Sequence, residues 1–460
     1  MKVMKFGGGC FKDARSISQA AAIIGREKER PVVVVSAVTG VTDMLIEACS
    51  QAERNERGVT ADVQRIQAVH DSLIRTMIKN ADVRRDLSRY VETALKKVGK
   101  LLYGISYTAE VTPATRSHVL SFGERLAAFL LAALLIDRRT PARPVESDKI
   151  GMLTDDVVEN ATVDLPGFRR ALKRLKPGLG RHDAVDVVTG FFGINPRGKV
   201  ATFGRNGTDY SAAAVAAGLG ASRLEIWKDV EGFMSADPKL EPQARKIDRL
   251  SYYEAAELSY FGARILHPRT LEPLHGLPIT VEIKNLWHPD NPGTEVLPNG
   301  SVKNDVIKSV AFNPDIVLLR IHGPGVGYKP GIIGTIGHRL SALGINIYSI
   351  ITSQTCINLL VDRKDAFRSH EALKTERGGV IERVDLEDGI VLVAAVGEGL
   401  LRQKGLAARI FSSVSKAGVN VEMISTGASE VASYFIVKRP DLEKTVHALH
   451  QEFFQERRRP

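Results

Sequence analysis

Two glycine-rich segments carry the residues best able to do chemistry. Lys5-Phe6-Gly7-Gly8-Gly9 closes a short apolar stretch, and Gly204-Arg205-Asn206-Gly207-Thr208-Asp209 leads into an alanine-rich stretch expected to be helical from Ser211. Successive glycines let backbone N–H groups approach an anion closely, and the start of a following helix favours negative charge. Lys5 can then reach a transferred phosphate as a point charge, and Arg205 suits a carboxylate through paired hydrogen bonds. Asp209 has two readings: a cap for the following helix, or a group that holds Lys5 or Mg2+. Between these loops lies Ser121-Phe122-Gly123-Glu124-Arg125, where Glu124 reads as a first-turn helix glutamate favoured by the helix dipole. The first loop has neither Walker-type nor dinucleotide-type glycine spacing.

These residues need elements to hold them. Lys2–Phe6 reads as a strand, a helix is expected from about Ala14 to Glu29, and Val32–Val35 is a run of β-branched residues typical of a buried parallel strand. Residues 60–102 show helical spacing, with Ile66, Val69, Leu73, Ile74, Met77 and Ile78 as a core stripe. Val185–Phe192, Gly198–Phe203 and Leu224–Trp227 are further strand candidates. Strands alternating with helices imply an α/β layer architecture with a largely parallel sheet.

The chain has 460 residues, which at roughly 100–200 residues per domain allows two to four domains. Its 44% hydrophobic and 25% charged composition is that of a soluble globular protein. A net charge of +10 raises nucleic acid as a partner, but the charge is spread out, and the tight run Arg457-Arg458-Arg459 sits at the C-terminus. No helix-turn-helix, zinc pattern or aromatic-interleaved basic stripe is evident, so no nucleic-acid role is expected. Cys10, Cys49 and Cys356 rule out a disulfide scaffold or CxxC motif and fit a reduced, cytoplasmic setting. Cys10 reads as a small residue packed in a loop rather than a redox switch. No secretory leader is expected, and the apolar stretch near Leu126–Ile136 is too short to span a membrane and reads as a core helix.

The C-terminal part repeats itself at an offset of 74 residues: Ile316-Val317-Leu318 matches Ile390-Val391-Leu392, and Gly323, Gly325, Gly331, Ser341, Gly344 and Asn346 match Gly397, Gly399, Gly405, Ser415, Gly418 and Asn420. Each copy reads as a strand, a glycine turn, a helix and a second strand, so a small α+β module is present twice.

Taken in order, Lys5-Phe6-Gly7-Gly8, Ser36-Ala37-x-x-Gly40, Phe122-Gly123-Glu124, Gly190-Phe191, Gly204-Arg205-x-Gly207-x-Asp209-Tyr210, Asp229-Val230-x-Gly232, Asp237-Pro238 and Gly262-Ala263-x-x-Leu266-His267-Pro268 make the sequence resemble a monofunctional aspartate kinase of the amino-acid kinase superfamily. The duplication resembles that family's paired ACT modules. The resemblance implies a three-layer α/β/α kinase domain over residues 1–300. Two ferredoxin-like βαββαβ ACT domains would follow at 312–384 and 385–455, the second completed by a strand at 305–311. It implies transfer of the ATP γ-phosphate, with its Mg2+, to the β-carboxylate of L-aspartate, as the first step towards amino acids such as lysine and threonine. It also implies an amino-acid effector and a homodimer or larger homo-oligomer built through the ACT domains. The runner-up readings are a kinase with another acceptor and a catalytically weak amino-acid sensor.

By motif match, Lys5, Gly7 and Gly8 would bind the phosphates, with Lys5 stabilising the transition state and Asp209 orienting it. Arg205 would clamp the substrate α-carboxylate and Glu124 its ammonium, with Ser36, Thr42 and Phe191 lining the pocket. Lys228, Asp229, Met234 and Lys239 would contact the nucleotide, and Arg264 its phosphates. No residue is directly assigned to metal. The first loop departs from the family's Gly-Gly-Thr-Ser at Gly8-Gly9-Cys10, losing two hydroxyls, and the family's Thr-Asp-Val is Lys228-Asp229-Val230. An effector site is implied around Tyr328, Gly331, Ile332, Ile333, Ile347, Ser353 and Gln354. Lysine-sensing members place acidic residues where Tyr348 and Gln354 stand here, so weak lysine inhibition and a neutral effector such as threonine are expected.

Overall fold

The computed structural model describes residues 1–175, 178–180, 183–263, 265–299, 306–374, 381–400 and 403–455. They form two compact units, Met1–Phe233 with Asp248–Ala256 and Ile265–Gly300, and Met234–Ile247 with Glu257–Arg264 and Ser301–Pro460.

The first unit is built on an eight-stranded sheet in the order Ala142–Val145, Val185–Thr189, Val32–Val35, Lys2–Phe6, Arg223–Lys228, Thr280–Asn285, Thr294–Leu297, Arg249–Ser251. All neighbours run parallel except Thr294–Leu297 against Thr280–Asn285. Val32–Val35 is buried throughout, as a parallel strand covered on both faces requires. Met4, Phe6, Val33 and Val35 join a large core with helices Ala14–Gly25, Val41–Arg54, Val59–Met77, Ala81–Thr108 and Phe122–Asp137. Helix Gly207–Leu219, nearly all small residues and almost wholly buried, packs against strands Lys2–Phe6 and Arg223–Lys228. Side chains alternate across a strand, so Val3 and Lys5 share the face opposite Met4 and Phe6.

Several boundaries differ from the sequence reading. The stretch 60–102 is two helices, because Asn80 accepts from the backbone N–H groups of Asp82 and Val83 and caps a new start. The strand expected over Val185–Phe192 stops at Thr189; Phe191 has φ +72°, and Phe192–Ile194 pairs separately with Val200–Thr202. Pro113–Leu120 and Phe122–Asp137 together reach membrane-spanning length and hydropathy, but the stretch contains Glu124 and Arg125 and is mostly buried in the protein.

The second unit contains two four-stranded antiparallel sheets. Strand Ile316–His322, helix Ile332–Ala342, strands Ile347–Thr352 and Cys356–Asp362, helix Ala366–Lys374 and strand Arg383–Glu387 form one βαββαβ module with its own core. The other module has strands Ile390–Val396, Met423–Thr426 and Ala432–Lys438 with helices Leu406–Lys416 and Leu442–Phe454. Its fourth sheet position is filled by Ser309–Asn313, paired with Ile390–Val396, so the first module is inserted within the second. Ala236, Leu240 and Ala244 pack into this second core, which explains why Met234–Ile247 groups with it.

Candidate active site

Strand Lys2–Phe6 lies between Val32–Val35 and Arg223–Lys228, where the chain crosses from one side of the sheet to the other. Ligands of open α/β sheets bind at the C-terminal strand ends at such a switch point. Here the three strands deliver Gly7, Ser36 and Lys228 to one cleft of about 170 Å³.

Lys5 and Asp209 are its centre. Lys5 Nζ is 2.5 Å from Asp209 Oδ1, and both side chains are buried. The helix bearing Asp209 begins at Gly207 rather than Ser211, with Asn206 at its start in a left-handed conformation (φ +56°) and no side-chain cap. Asp209 thus sits inside the first turn and is not a cap. Lys228 Nζ stands 3.3 Å from its other oxygen, Oδ2. Burial alone would raise the Asp209 pKa, but the Lys5 and Lys228 ammoniums outweigh it and hold the carboxyl below its usual range. Burial, reinforced by the Lys228 charge, lowers Lys5 despite the attraction of Asp209.

A Cβ on Gly7 would lie 2.7 Å from Lys5 Nζ, so a side chain there would displace the ammonium from its place beside Asp209. Gly8 and Gly9 begin a 3-10 turn, Gly8–Phe11. The helix that follows is closed by its own capping box, in which Asp13 accepts from Ser16 N–H at 2.8 Å. Its N-terminus is therefore engaged, and the uncapped start at Gly207 is the one that borders the cleft through Asn206 and Thr208. Cys10 is buried, its thiol donating to Trp227 O at 3.2 Å and pushed up to about 12, chiefly by burial.

Glu124 is buried in the first turn of Phe122–Asp137. Its Oε1 accepts from Ala37 N–H at 3.2 Å, while its buried Oε2 has no hydrogen-bond partner. Burial pushes its pKa up to about 8, against the opposing pulls of the Ala37 N–H and Lys5. Gly123 permits this approach, since a Cβ there would be 2.8 Å from Ala37 Cβ and 3.7 Å from Thr42 Oγ1. Ser36 Oγ is 3.1 Å from Thr208 Oγ1. Phe191 N–H donates to Ser211 Oγ at 2.7 Å, and the Phe191 ring edges Gly207. Arg205 is exposed on the turn before the Asp209 helix, near enough to His267 to depress its pKa after burial and Arg269 have done so.

The cleft therefore gathers Lys5, Gly7, Gly8, Ser36, Asp209, Lys228 and Asp229, with Asp229 exposed beside Gly9. Met234 and Lys239 belong to the second unit, where Met234 O accepts from Ser309 Oγ at 2.8 Å and Lys239 is exposed. Arg264 lies outside the described residues. The sequence reading passed over Thr208, Asn206 and Trp227, which also line the cleft, and Thr39, whose hydroxyl donates to Gly8 O at 2.8 Å. Thr39 and Thr208 stand inside the quoted motifs at unassigned positions, and that proximity was the available signal.

A sequence model described as the amino acid kinase family matches residues 1–285, and one described as an ACT domain matches 393–453. Aspartokinase 1, chloroplastic, of Arabidopsis thaliana is 31% identical over 461 residues, spanning 98% of this chain and 80% of that protein. The chain belongs to the aspartokinases of the amino acid kinase family. The structure of E. coli aspartokinase III in complex with lysine and aspartate (T-state) matches with a TM-score of 0.84 at 27% identity, covering 99% of this chain and all of that one. The same E. coli enzyme with aspartate and ADP (R-state) matches at 0.80, also with 27% identity and 99% and 100% coverage. The kinase-plus-ACT fold is that of these aspartokinases.

In the first ACT module the residues of the expected effector site fall on the glycine turn and helix start around Tyr328–Ile333 and at the two ends of strand Ile347–Thr352. Gly331 has φ +91° and starts helix Ile332–Ala342, with Tyr328 and Ile333 exposed beside it. Gly327 N–H donates to Gln354 O at 3.3 Å, and a Cβ on Gly327 would overlap Ser353 O, so this turn lies directly on Ser353 and Gln354. Ser353 Oγ donates to Cys356 O at 3.2 Å. Ile347 pairs with Val361 at the start of its strand. Tyr348 is engaged by Tyr260, whose hydroxyl donates to Tyr348 O at 3.0 Å.

Proposed function

We propose that this chain transfers the γ-phosphate of ATP to the β-carboxylate of L-aspartate, giving 4-phospho-L-aspartate, under allosteric control by its ACT modules. The observation that carries the reading is the buried Lys5–Asp209 pair in a glycine-lined cleft at the sheet's switch point. An aspartate side chain, with a solution pKa near ~3.9, is already ionised at neutral pH, so the reaction needs no general base. The protein's task is to bring two anions together and absorb the charge of the moving phosphoryl group.

Gly7 and Gly8 let phosphate oxygens approach the backbone, and Lys5 neutralises the charge that develops on them. Asp209 keeps Lys5 ionised and oriented. Glu124 receives the substrate ammonium; its unpartnered Oε2 is the kind of buried acceptor that such a cation satisfies. Ser36, Thr42 and Phe191 line the acceptor pocket, and Arg205 takes the α-carboxylate. Asp209 already faces two ammoniums, and among the described residues no group of three or more His, Cys, Asp or Glu side chains is placed to hold a metal. Mg2+ would come with ATP and would supply charge neutralisation on its phosphates.

In the layout we propose, the kinase domain covers residues 1–300. ACT domains follow at 312–384 and 385–455, the second completed by the strand before the first. The ACT domains associate copies of the chain into a homodimer or larger homo-oligomer, and the effector site is the cluster of Tyr328, Gly331, Ile332, Ile333, Ile347, Ser353 and Gln354. The enzyme works in the cytoplasm at the entry to lysine and threonine biosynthesis.

The test is ADP release in a coupled assay over a panel of amino-acid acceptors, with acyl phosphate trapped by hydroxylamine as the hydroxamate. Aspartate is expected to be the preferred acceptor. Lys5→Ala and Asp209→Ala should each lower turnover at least about a hundredfold, the loss typical of one removed transition-state charge contact. Near-normal turnover in either folded variant would sink the assignment.

A further inference from the structure

The buried carboxylate of the cleft carries two ammoniums, held with unequal closeness. Asp209 is already paired with Lys5 at 2.5 Å, yet Lys228 also leans on it at 3.3 Å. A buried carboxylate balanced by one ammonium gains little from a second, because each buried charge carries a desolvation cost. The remaining charged lining group, Asp229, is exposed and faces Gly9. The two lysines also differ in freedom. Lys5 is 5% exposed in its side chain and pinned beside Gly7, whereas Lys228 is 20% exposed at the end of its strand. Lys228 thus has both the looser contact and the room to move, on a flexible four-carbon stem.

The glycine turn beside Lys228 and Asp229 is poor in side-chain donors. Gly9 has none, and Cys10 is wholly buried with its thiol turned onto Trp227 O. That carbonyl immediately precedes Lys228, so the thiol that donates nothing to the cleft and the ammonium that enters it meet at one junction between strands. Phe6 and Trp227 pair in register there and stack with ring centroids 5.8 Å apart.

We propose that Lys228 is a second phosphate-binding residue, which leaves Asp209 for the phosphate oxygens of a bound nucleotide and supplies there the contacts that Gly9 and Cys10 do not. Asp209 then stays with Lys5 alone, and the ammonium that leaves it is matched by the polyphosphate. The inference rests on the kinase reading for its ligand, a nucleoside di- or triphosphate, and assigns to position 228 a charge contact rather than the hydroxyl contact of the family pattern.

The experiment is calorimetric titration of ADP with Mg2+ onto the full-length wild-type chain, Lys228→Met and Lys228→Arg, paired with steady-state kinetics. Loss of one charge-assisted contact should weaken ADP binding to Lys228→Met about ten- to a hundredfold. The KM for aspartate and the melting temperature should stay close to wild type, and Lys228→Arg should recover most of the ADP affinity. Unchanged ADP affinity in Lys228→Met would overturn the proposal. So would a variant in which ADP affinity, aspartate KM and melting temperature all deteriorate together, because Lys228 would then serve only to stabilise Asp209. A wild-type chain that binds ADP but phosphorylates no aspartate would remove the acceptor assignment while leaving the Lys228 comparison intact.

Discussion

Glu124 shows how much a single side chain depends on where the fold puts it. In the sequence it is an ordinary first-turn glutamate; in the structure it is buried, holds one backbone hydrogen bond, and has a pKa pushed up to about 8 by burial. A protonated Glu124 offers an ammonium no counter-charge, so aspartate binding must expel that proton. The KM for aspartate should therefore fall as pH rises from about 6 towards 8 and level off above it, and Glu124→Gln should raise KM and flatten this slope. The same shift acts on stability. Between the unfolded value of 4.5 and about 8 the folded state holds a proton that the unfolded chain has lost, so stability declines as pH rises through that window. Urea midpoints that do not differ in pH dependence between wild type and Glu124→Gln would contradict the burial argument. Lys5 and Asp209, in contrast, were legible as candidates from charge at two glycine loops. Their pairing was one of several readings of Asp209, beside a helix cap and a Mg2+ group, and the fold selects it by bringing two segments some two hundred residues apart to 2.5 Å.

At the scale of elements, close approach decides what the site can do. Helix Phe122–Asp137 reaches the Ser36–Val38 turn because Gly123 has no Cβ to collide with Ala37. Gly123→Ala should cost about 1–2 kcal/mol, the overpacking penalty partly offset by alanine's better helix propensity. It should also weaken aspartate binding, since Glu124 moves with the helix. An unaltered urea midpoint together with an unaltered aspartate KM would show that the contact is not tight. Periodicity located this helix and the parallel strands, because burial on one or both faces writes a 3.6- or continuous apolar pattern into the chain. It missed the break at Asn80 and the end of the strand at Thr189. Those are set by a side-chain cap and by Phe191 at φ +72°, local events that leave the apolar pattern unbroken.

At the scale of the whole molecule, the chain joins an amino acid kinase domain to a pair of interleaved ACT modules. Strand Ser309–Asn313 belongs to the second module although the whole first module follows it, and the same sheet's core takes in Ala236 from the segment Met234–Ile247. In the effector site proposed above, Tyr328 and Ile333 are exposed and Tyr348 is held through its carbonyl by Tyr260, with no carboxylate among the assigned residues to meet a lysine ligand. Titration of activity should accordingly show little inhibition by lysine at concentrations where threonine, a neutral amino acid, inhibits; strong lysine inhibition would refute the assignment. The amino-acid sequence by itself determined the α/β class, the duplicated module and the two glycine loops, because these depend on local pattern, on repetition and on residue types that only tight backbone turns require. Only the tertiary structure decided that Lys228 shares Asp209 with Lys5, that Glu124 is buried with an unpartnered oxygen, and that the strand completing the second module is Ser309–Asn313 rather than the expected 305–311. Each of those depends on which strands become neighbours, and strand order follows from the packing of the whole sheet rather than from any stretch of the chain.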